Sequence, residues 1–284
     1  MPAWMRTCSC RCRTRVSARR WARTRCGCSA CPAPARRGKV AAPAGDGVTV
    51  ITGASGGIGA ALARRVLAEG GRVVNLSDRP SAAPLGAIDR IVDLTDARAT
   101  REAFEAVLGQ HRVTGFVHCA GIPHMAPVED FDAQGFDRIV HLHLRAAMQC
   151  IGLVVPVMKA RRHGHIVLLG SRVSLGRARS SLYGAVKSGI LGMARALAVE
   201  LAPHGINVNV VSPGPVDTPM LRVYHPAGSP QAQALEASIP MGRVARPEDV
   251  ANAAMFFLRD ETSYVTGQNL FVCGGRDIAA AEGN

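Results

Sequence analysis

The sequence predicts a single α/β domain, and three observations carry that reading. Short apolar runs at 48–51, 72–76, 165–169 and 206–211 have the density of strands buried on both faces. Segments with helical spacing of apolar residues, 60–71 and 181–202, stand between them. The first strand, a glycine-rich turn and a helix follow one another directly. A chain of 284 residues with 48% hydrophobic content suffices for one large core.

The first 45 residues are set apart from this body. They hold eleven Arg or Lys and no Asp or Glu, so the formal charge of +13 belongs almost wholly to them. The other 23 basic and 21 acidic side chains leave residues 46–284 nearly neutral, which argues against a nucleic-acid surface there. Six of the nine cysteines also crowd into the first 31 residues, but only Cys28 and Cys31 have C-x-x-C spacing and no second pair completes a zinc site. An Arg-rich, acid-poor segment also fits an organelle transit peptide. With few large aliphatics and no period, residues 1–45 are expected to be disordered, or to lie upstream of the natural start. In the body, Cys119, Cys150 and Cys273 are scattered and form no disulfide framework, which fits a reducing, cytoplasmic setting. No apolar run reaches the ~18 residues of a membrane span.

The stretch "TGASGGIG" (52–59) joins the strand "VTVI" to the helical segment "AALARRVLAEGG". Such a turn presents free backbone N–H groups to a pyrophosphate at a helix N-terminus. Gly53, Gly57 and Gly59 let the backbone approach without a Cβ in the way. With its T-G-x-x-x-G-x-G spacing the chain resembles the short-chain dehydrogenase/reductase family. The resemblance implies a Rossmann-like doubly wound parallel sheet and a nicotinamide cofactor. Its cofactor-binding candidates begin with Thr52, Gly53, Ser55, Gly57, Ile58 and Gly59. A strand within 88–96 ends near Asp93 and Leu94, where the family's acidic residue binds the adenine amino group. Cys119, Ala120 and Gly121 follow the fourth strand, and Pro213, Gly214, Val216 and Thr218 follow the sixth. The linker 80–89 is too short and too rich in Pro and Gly for the family's usual helix.

At the end of the second strand Asp78 would accept hydrogen bonds from the adenosine ribose and repel a 2′-phosphate. Arg79, beside it, would pair with that phosphate. The reading favours NAD and keeps NADP open.

Tyr183 and Lys187 lie four apart on the helix 181–202 and share a face. A tyrosine of pKa ~10 is a poor acid or base at neutral pH unless its phenolate is stabilised. A lysine cation one turn away would stabilise it. Ser171, at the end of the preceding strand, could donate a hydrogen bond to a substrate carbonyl. "YGAVK" matches the family's Y-x-x-x-K signature. The resemblance implies that Tyr183 is the general acid/base, that Lys187 lowers its pKa and binds the nicotinamide ribose, and that Ser171 orients the substrate oxygen.

Two positions depart from the family. Its N-A-G after the fourth strand is here C-A-G, with Cys119 read as a small structural replacement rather than a reactive thiol. The family's fourth catalytic residue, an asparagine that helps hold a proton-relay water, falls on His143. A histidine can accept and donate, so His143 is a candidate relay, with a weakened relay or a packed ring as the alternatives. On a helix, residues two apart lie about 200° around the axis, so His141 and His143 do not share a metal. No metal is expected, and His141 is read as structural or surface-facing.

The function expected is hydride transfer between nicotinamide and a small-molecule ketone or secondary alcohol. "SRVSLGRARSSLYGAVK" looks most like the family's 3-oxoacyl-carrier-protein reductases, which makes a 3-oxoacyl thioester a candidate substrate. The resemblance spans about 47–275, with residues 219–246 as the substrate lid, and the lid holds no charged cluster that names a substrate. A non-catalytic cofactor-binding regulator on the same fold is the alternative: Cys119 and His143 favour it, and the intact Ser171, Tyr183 and Lys187 oppose it. Nucleic-acid binding by the basic arm is a weaker third reading. By analogy with the family, a homotetramer or homodimer through the long helices is expected, with no nucleic-acid or membrane partner.

Overall fold

The computed structural model describes residues 47–80 and 86–279. The expectations attached to residues 1–45 lie outside the described residues. The chain runs through β1 (Gly47–Thr52), α1 (Gly57–Ala68), β2 (Arg72–Ser77), β3 (Ala87–Ile91), α2 (Ala97–Gln110) and β4 (Arg112–His118). It continues through α3 (Ala133–Val140), α4 (Ala146–Arg161), β5 (Gly164–Leu169), α5 (Ser181–Leu201) and β6 (Ile206–Pro213). The remainder is α6 (Pro219–Arg222), α7 (Pro230–Ala237), α8 (Pro247–Phe257), β7 (Asn269–Val272) and α9 (Arg276–Ala279). Only residues 78–86 separate β2 from β3, and 81–85 of these lie outside the described residues.

All strand pairings are parallel, in the order β3-β2-β1-β4-β5-β6-β7. This is the doubly wound sheet expected. Side chains alternate along a strand, so each strand feeds two layers. Val50, Ile166, Leu168 and Val210 join Phe104 of α2, Val154 of α4 and Ile190 of α5 on one face. Ile51, Val167 and Val211 join Leu62 of α1 and Val250 and Ala254 of α8 on the other. With both faces covered, the strands read as continuous apolar runs.

The segment 133–161 and the segment 181–204 are long and apolar enough to cross a membrane by length and mean hydropathy, 1.4 and 1.2. Neither holds an uninterrupted apolar run of that length. Their apolarity has another use here: Ile151, Val154, Ile190 and Ala194 lie in the core against the sheet. The strand order reverses between β1 and β4, which opens a crevice at the carboxyl ends of the strands.

Candidate active site

A cavity of about 780 Å³ occupies that crevice, within the ~300–1,000 Å³ usual for small-molecule sites. Residues just past four neighbouring strand ends line it: Gly53 after β1, Cys119 after β4, Ser171 after β5 and Gly214 after β6.

The glycine loop forms the floor of one half. Asp96 caps α2 and Asp132 caps α3, each through its carboxylate. In contrast, α1 starts after an extended Gly56 with no side-chain cap. Its first-turn N–H groups are left for a ligand. A Cβ on Gly59 would meet the Gly53 carbonyl oxygen at 2.3 Å, so the helix can sit this close to the loop only with glycine there. The loop is also held from below. Asn75, fully buried in β2, accepts from the Ala54 N–H at 3.0 Å and donates to Asp89 at 2.9 Å. The Ser55 and Ser77 hydroxyls are 3.0 Å apart. An uncapped helix N-terminus facing a braced, Cβ-free loop fits the pyrophosphate of a nicotinamide dinucleotide.

Of the expected cofactor-binding residues, Thr52 alone does not line the cavity. It is fully buried. Its hydroxyl lies 2.9 Å from His118 Nδ1 and accepts from the Ala120 N–H at 3.3 Å. It ties β1 to β4, because Thr52 and His118 are register partners whose side chains share one face of the sheet. Asp78 and Arg79 stand exposed at the rim, with Arg79 Nε 3.5 Å from Asp78 Oδ1. An exposed pair of this kind contributes about 0–1 kcal/mol and leaves both side chains available to a ligand. Asp93 Oδ1 accepts from the Thr95 N–H and hydroxyl, at 2.9 and 2.8 Å, which fixes the turn after β3 at the cavity wall.

Ser171, Tyr183, Lys187 and His143 all line the same cavity. Lys187 is buried, and its ammonium donates to the Leu169 carbonyl at 2.7 Å. It lies 5.6 Å from the centroid of the Tyr183 ring. Burial brings the Lys187 pKa down to about 8. Burial pushes the Tyr183 phenol up to about 12, against a lowering by the Ser171 hydroxyl. The expectation that Lys187 depresses the Tyr183 pKa is therefore not met in this state. The ammonium is tethered to the strand-end carbonyl over the ring, and desolvation of the phenolate prevails. Its charge is felt elsewhere: after burial, it is the next cause that lowers the pKa of His118, to about 4, and of His143. Burial pushes the Cys119 thiol up to about 12, which suits an inert replacement.

The segment His141–Arg145 forms a π-helical turn between α3 and α4, in which the Ala146 N–H reaches back to the His141 carbonyl. His118, a residue the motifs do not reveal, braces this turn. Its Nδ1 accepts from the Thr52 hydroxyl, and its Nε2 donates to the Leu142 carbonyl at 3.2 Å. His143 is 1% exposed, and its Nε2 lies 3.0 Å from both the N–H and the carbonyl of Ile122. Its Nδ1 is buried with no hydrogen-bond partner among the described residues. Its ring meets the Tyr183 ring edge-on at 5.7 Å between centroids. Burial, then the Lys187 charge, holds its pKa well below 6.5. Among the described residues, His143 thus has a hydrogen-bond partner on one ring nitrogen alone. His141 is not a surface bystander but lines the cavity beside it. Sequence reasoning also missed Asn75, visible as one polar residue inside an apolar strand, and the cavity residues Arg172, Arg177 and Arg276, which carry no motif.

Comparison with known proteins agrees with this geometry. A family model described as Enoyl-(Acyl carrier protein) reductase matches residues 53–277. The (2S)-[(R)-hydroxy(phenyl)methyl]succinyl-CoA dehydrogenase subunit BbsD of Thauera aromatica is 31% identical, over 82% of this chain and 97% of that protein. The 3-oxoacyl-[acyl-carrier-protein] reductase FabG of Escherichia coli (strain K12) is 31% identical, over 80% of this chain and 96% of that protein. Among solved structures, 3-ketoacyl-(acyl-carrier-protein) reductase from Brucella melitensis complexed with NADH matches with a TM-score of 0.76 at 30% identity, over 82% of this chain and 98% of that one. With its parallel sheet, uncapped phosphate loop and Ser–Tyr–Lys cavity, the chain belongs to the short-chain dehydrogenase/reductase family, enzymes that act on CH–OH or carbonyl groups of small molecules with NAD or NADP.

Proposed function

We propose that the chain interconverts a ketone and a secondary alcohol at this cavity, with 3-oxoacyl thioesters as its substrate class. The observation that carries the mechanism is the meeting of Ser171, Tyr183 and Lys187 in one cavity with the open N-terminus of α1. The bound nicotinamide supplies or accepts the hydride. Ser171 Oγ accepts from the Val173 N–H at 3.1 Å, so its own proton is the one available to a substrate oxygen. Tyr183 Oη donates a proton to that oxygen in reduction and takes it back in oxidation. Lys187 holds the ribose side and places a positive charge beside the phenolate as it forms. Two short lid helices, α6 and α7, bring Met220 and Leu235 to the cavity within the assigned lid 219–246. The 3-oxoacyl preference is supported by what the relatives act on. The test is consumption of NADH or NADPH by the full chain with acetoacetyl-CoA and a panel of ketones, and of NAD or NADP with the alcohols. No turnover in either direction would sink the proposal.

We assign NAD as the preferred cofactor because Asp78 faces the rim where the adenosine ribose would lie. Asp78→Ala is expected to move the kcat/KM ratio toward NADPH by roughly tenfold or more, and Arg79→Ala to move it toward NADH. Ratios unmoved in both variants would make the pair an ordinary solvated loop.

His143 is assigned as a positioning residue for Ile122 and the Tyr183 ring. One imidazole nitrogen can serve only one of the two Ile122 groups, whereas an amide accepts from the N–H and donates to the carbonyl. His143→Asn is expected to retain activity and gain stability, by about 1 kcal/mol in urea unfolding. His143→Ala should lower kcat with no change in the shape of the pH–rate profile. A shifted acid limb in either variant would restore the titrating relay.

The outer faces of the long helices leave Met148 half exposed and Val199 79% exposed. They support a homodimer or homotetramer through those helices. The free cysteines Cys119, Cys150 and Cys273 support a reducing, cytoplasmic setting.

A further inference from the structure

Besides Arg79 at the cofactor rim and the exposed Arg138 of α3, three arginines line the cavity from parts of the chain that no motif connects. Arg172 follows Ser171, Arg177 lies in the loop before α5, and Arg276 opens α9; all three line the cavity. The lining holds two carboxylates, Asp78 and Asp93, and both stand after β2 and β3, on the adenosine side. The arginines come from the other side, beside Ser171 and past the end of β7. Some arginines elsewhere are paired, Arg222 with Asp217, Arg243 with Asp249 and Arg259 with Glu69, while exposed ones such as Arg101 and Arg145 have no ion pair among the described residues. Arg172, Arg177 and Arg276 have no ion pair or side-chain hydrogen bond among the described residues. Arg276 is partly buried, and after burial the charges of Arg172 and Arg177 are the main causes that disfavour its own. Arg276 is therefore near enough to Arg172 and Arg177 to feel both charges. Two more groups in the same lining, the Nδ1 atoms of His124 and His225, are buried with no hydrogen-bond partner among the described residues. Like charges gathered without a counter-charge destabilise a fold unless a ligand neutralises them.

We propose that the carbonyl substrate carries an anionic group, a carboxylate or a phosphate, held by Arg172, Arg177 and Arg276. This rests on the oxidoreductase reading and narrows its substrate. A guanidinium pairs with either anion through two parallel N–H bonds, so the shared chemistry is a planar or tetrahedral oxyanion at the far end from the reacting carbon. A free oxo-acid and a phosphate-bearing thioester carrier are the two sources.

The test compares matched ketones at saturating reduced cofactor. Levulinate is set against methyl levulinate for the carboxylate, and acetoacetyl-CoA against ethyl acetoacetate for the phosphate. The expected result is a higher kcat/KM for the anionic member of one pair, falling with added potassium chloride while its neutral partner is unaffected. In Arg177→Gln/Arg276→Gln the anion-to-neutral ratio of kcat/KM should fall roughly ten- to a hundredfold. The pair that responds identifies the source. Equal kcat/KM within both pairs, or a variant that lowers both members alike, overturns the proposal while leaving ketone reduction intact. If no compound is turned over, the oxidoreductase reading fails by itself. Binding of the same acids to the cofactor complex, followed by nicotinamide fluorescence, then decides the anion site: salt-sensitive binding weakened in the variant supports it, and equal binding of acid and ester overturns it.

Discussion

Tyr183→Phe is expected to lower kcat and kcat/KM together, by roughly 10²- to 10⁴-fold, with cofactor affinity unchanged. The substitution removes Oη and nothing else. The ring keeps its edge-on contact with His143, and Lys187 keeps its bond to Leu169. The proton transfer to the substrate oxygen is lost, together with the Ser171 contact to Oη, and that transfer matters in the transition state rather than in binding. The phenol's pKa near 12 keeps it protonated across the assay range, so it is a ready acid for reduction. It acts as a base only when a positive charge stands close to it. Steady-state kinetics, with cofactor binding measured separately by fluorescence, provide the check. A variant that keeps more than a tenth of wild-type turnover would remove Tyr183 from the chemistry.

Lys187→Met is expected to lower kcat by a similar factor while leaving stability at pH 7 nearly unchanged. The lysine titrates near 8 in the folded chain against 10.5 as an unperturbed group. Below about pH 8 both states carry the charge, and the folded state bears the full desolvation penalty, roughly 3 kcal/mol. Between about 8 and 10.5 the unfolded chain binds the extra proton, so wild-type stability rises with pH by that amount. Methionine removes the penalty but leaves the Leu169 carbonyl without its donor, which costs about 1–3 kcal/mol. The two effects offset at pH 7. Urea unfolding at pH 7.5 and pH 10 should show wild type gaining on the variant as pH rises. Identical responses would mean that Lys187 is not desolvated. Buried in this way, the lysine is held for function at a cost in stability.

The parts of the fold that could be read in advance depend on spacing along one short segment. The loop at 52–59 was legible because a tight turn against a phosphate tolerates no Cβ, so glycine recurs at a set interval. Tyr183 and Lys187 were legible because a helix places residues four apart on one face. The strands were legible because a sheet covered on both sides demands unbroken apolar runs. The readings that changed concern direction and surroundings. Thr52 belongs to the loop by position, yet its hydroxyl turns to His118. His143 aligns with a relay residue, and the fold adds that its Nε2 is tied to the Ile122 backbone. The Tyr183 pKa depends on where the Lys187 ammonium is tethered, which the interval of four does not state.

The chain's own pattern was thus enough for the nucleotide loop and for Tyr183 and Lys187 on one helix face, because each rests on local geometry, and the resemblance those motifs carry supplied the doubly wound architecture. Neither was enough for the charge at the substrate end. Arg172, Arg177 and Arg276 are separated by up to 104 residues, and they become one feature only when the last strand and α9 return to the carboxyl edge of the sheet. Electrostatic energy depends on distance through space, and only packing sets that distance.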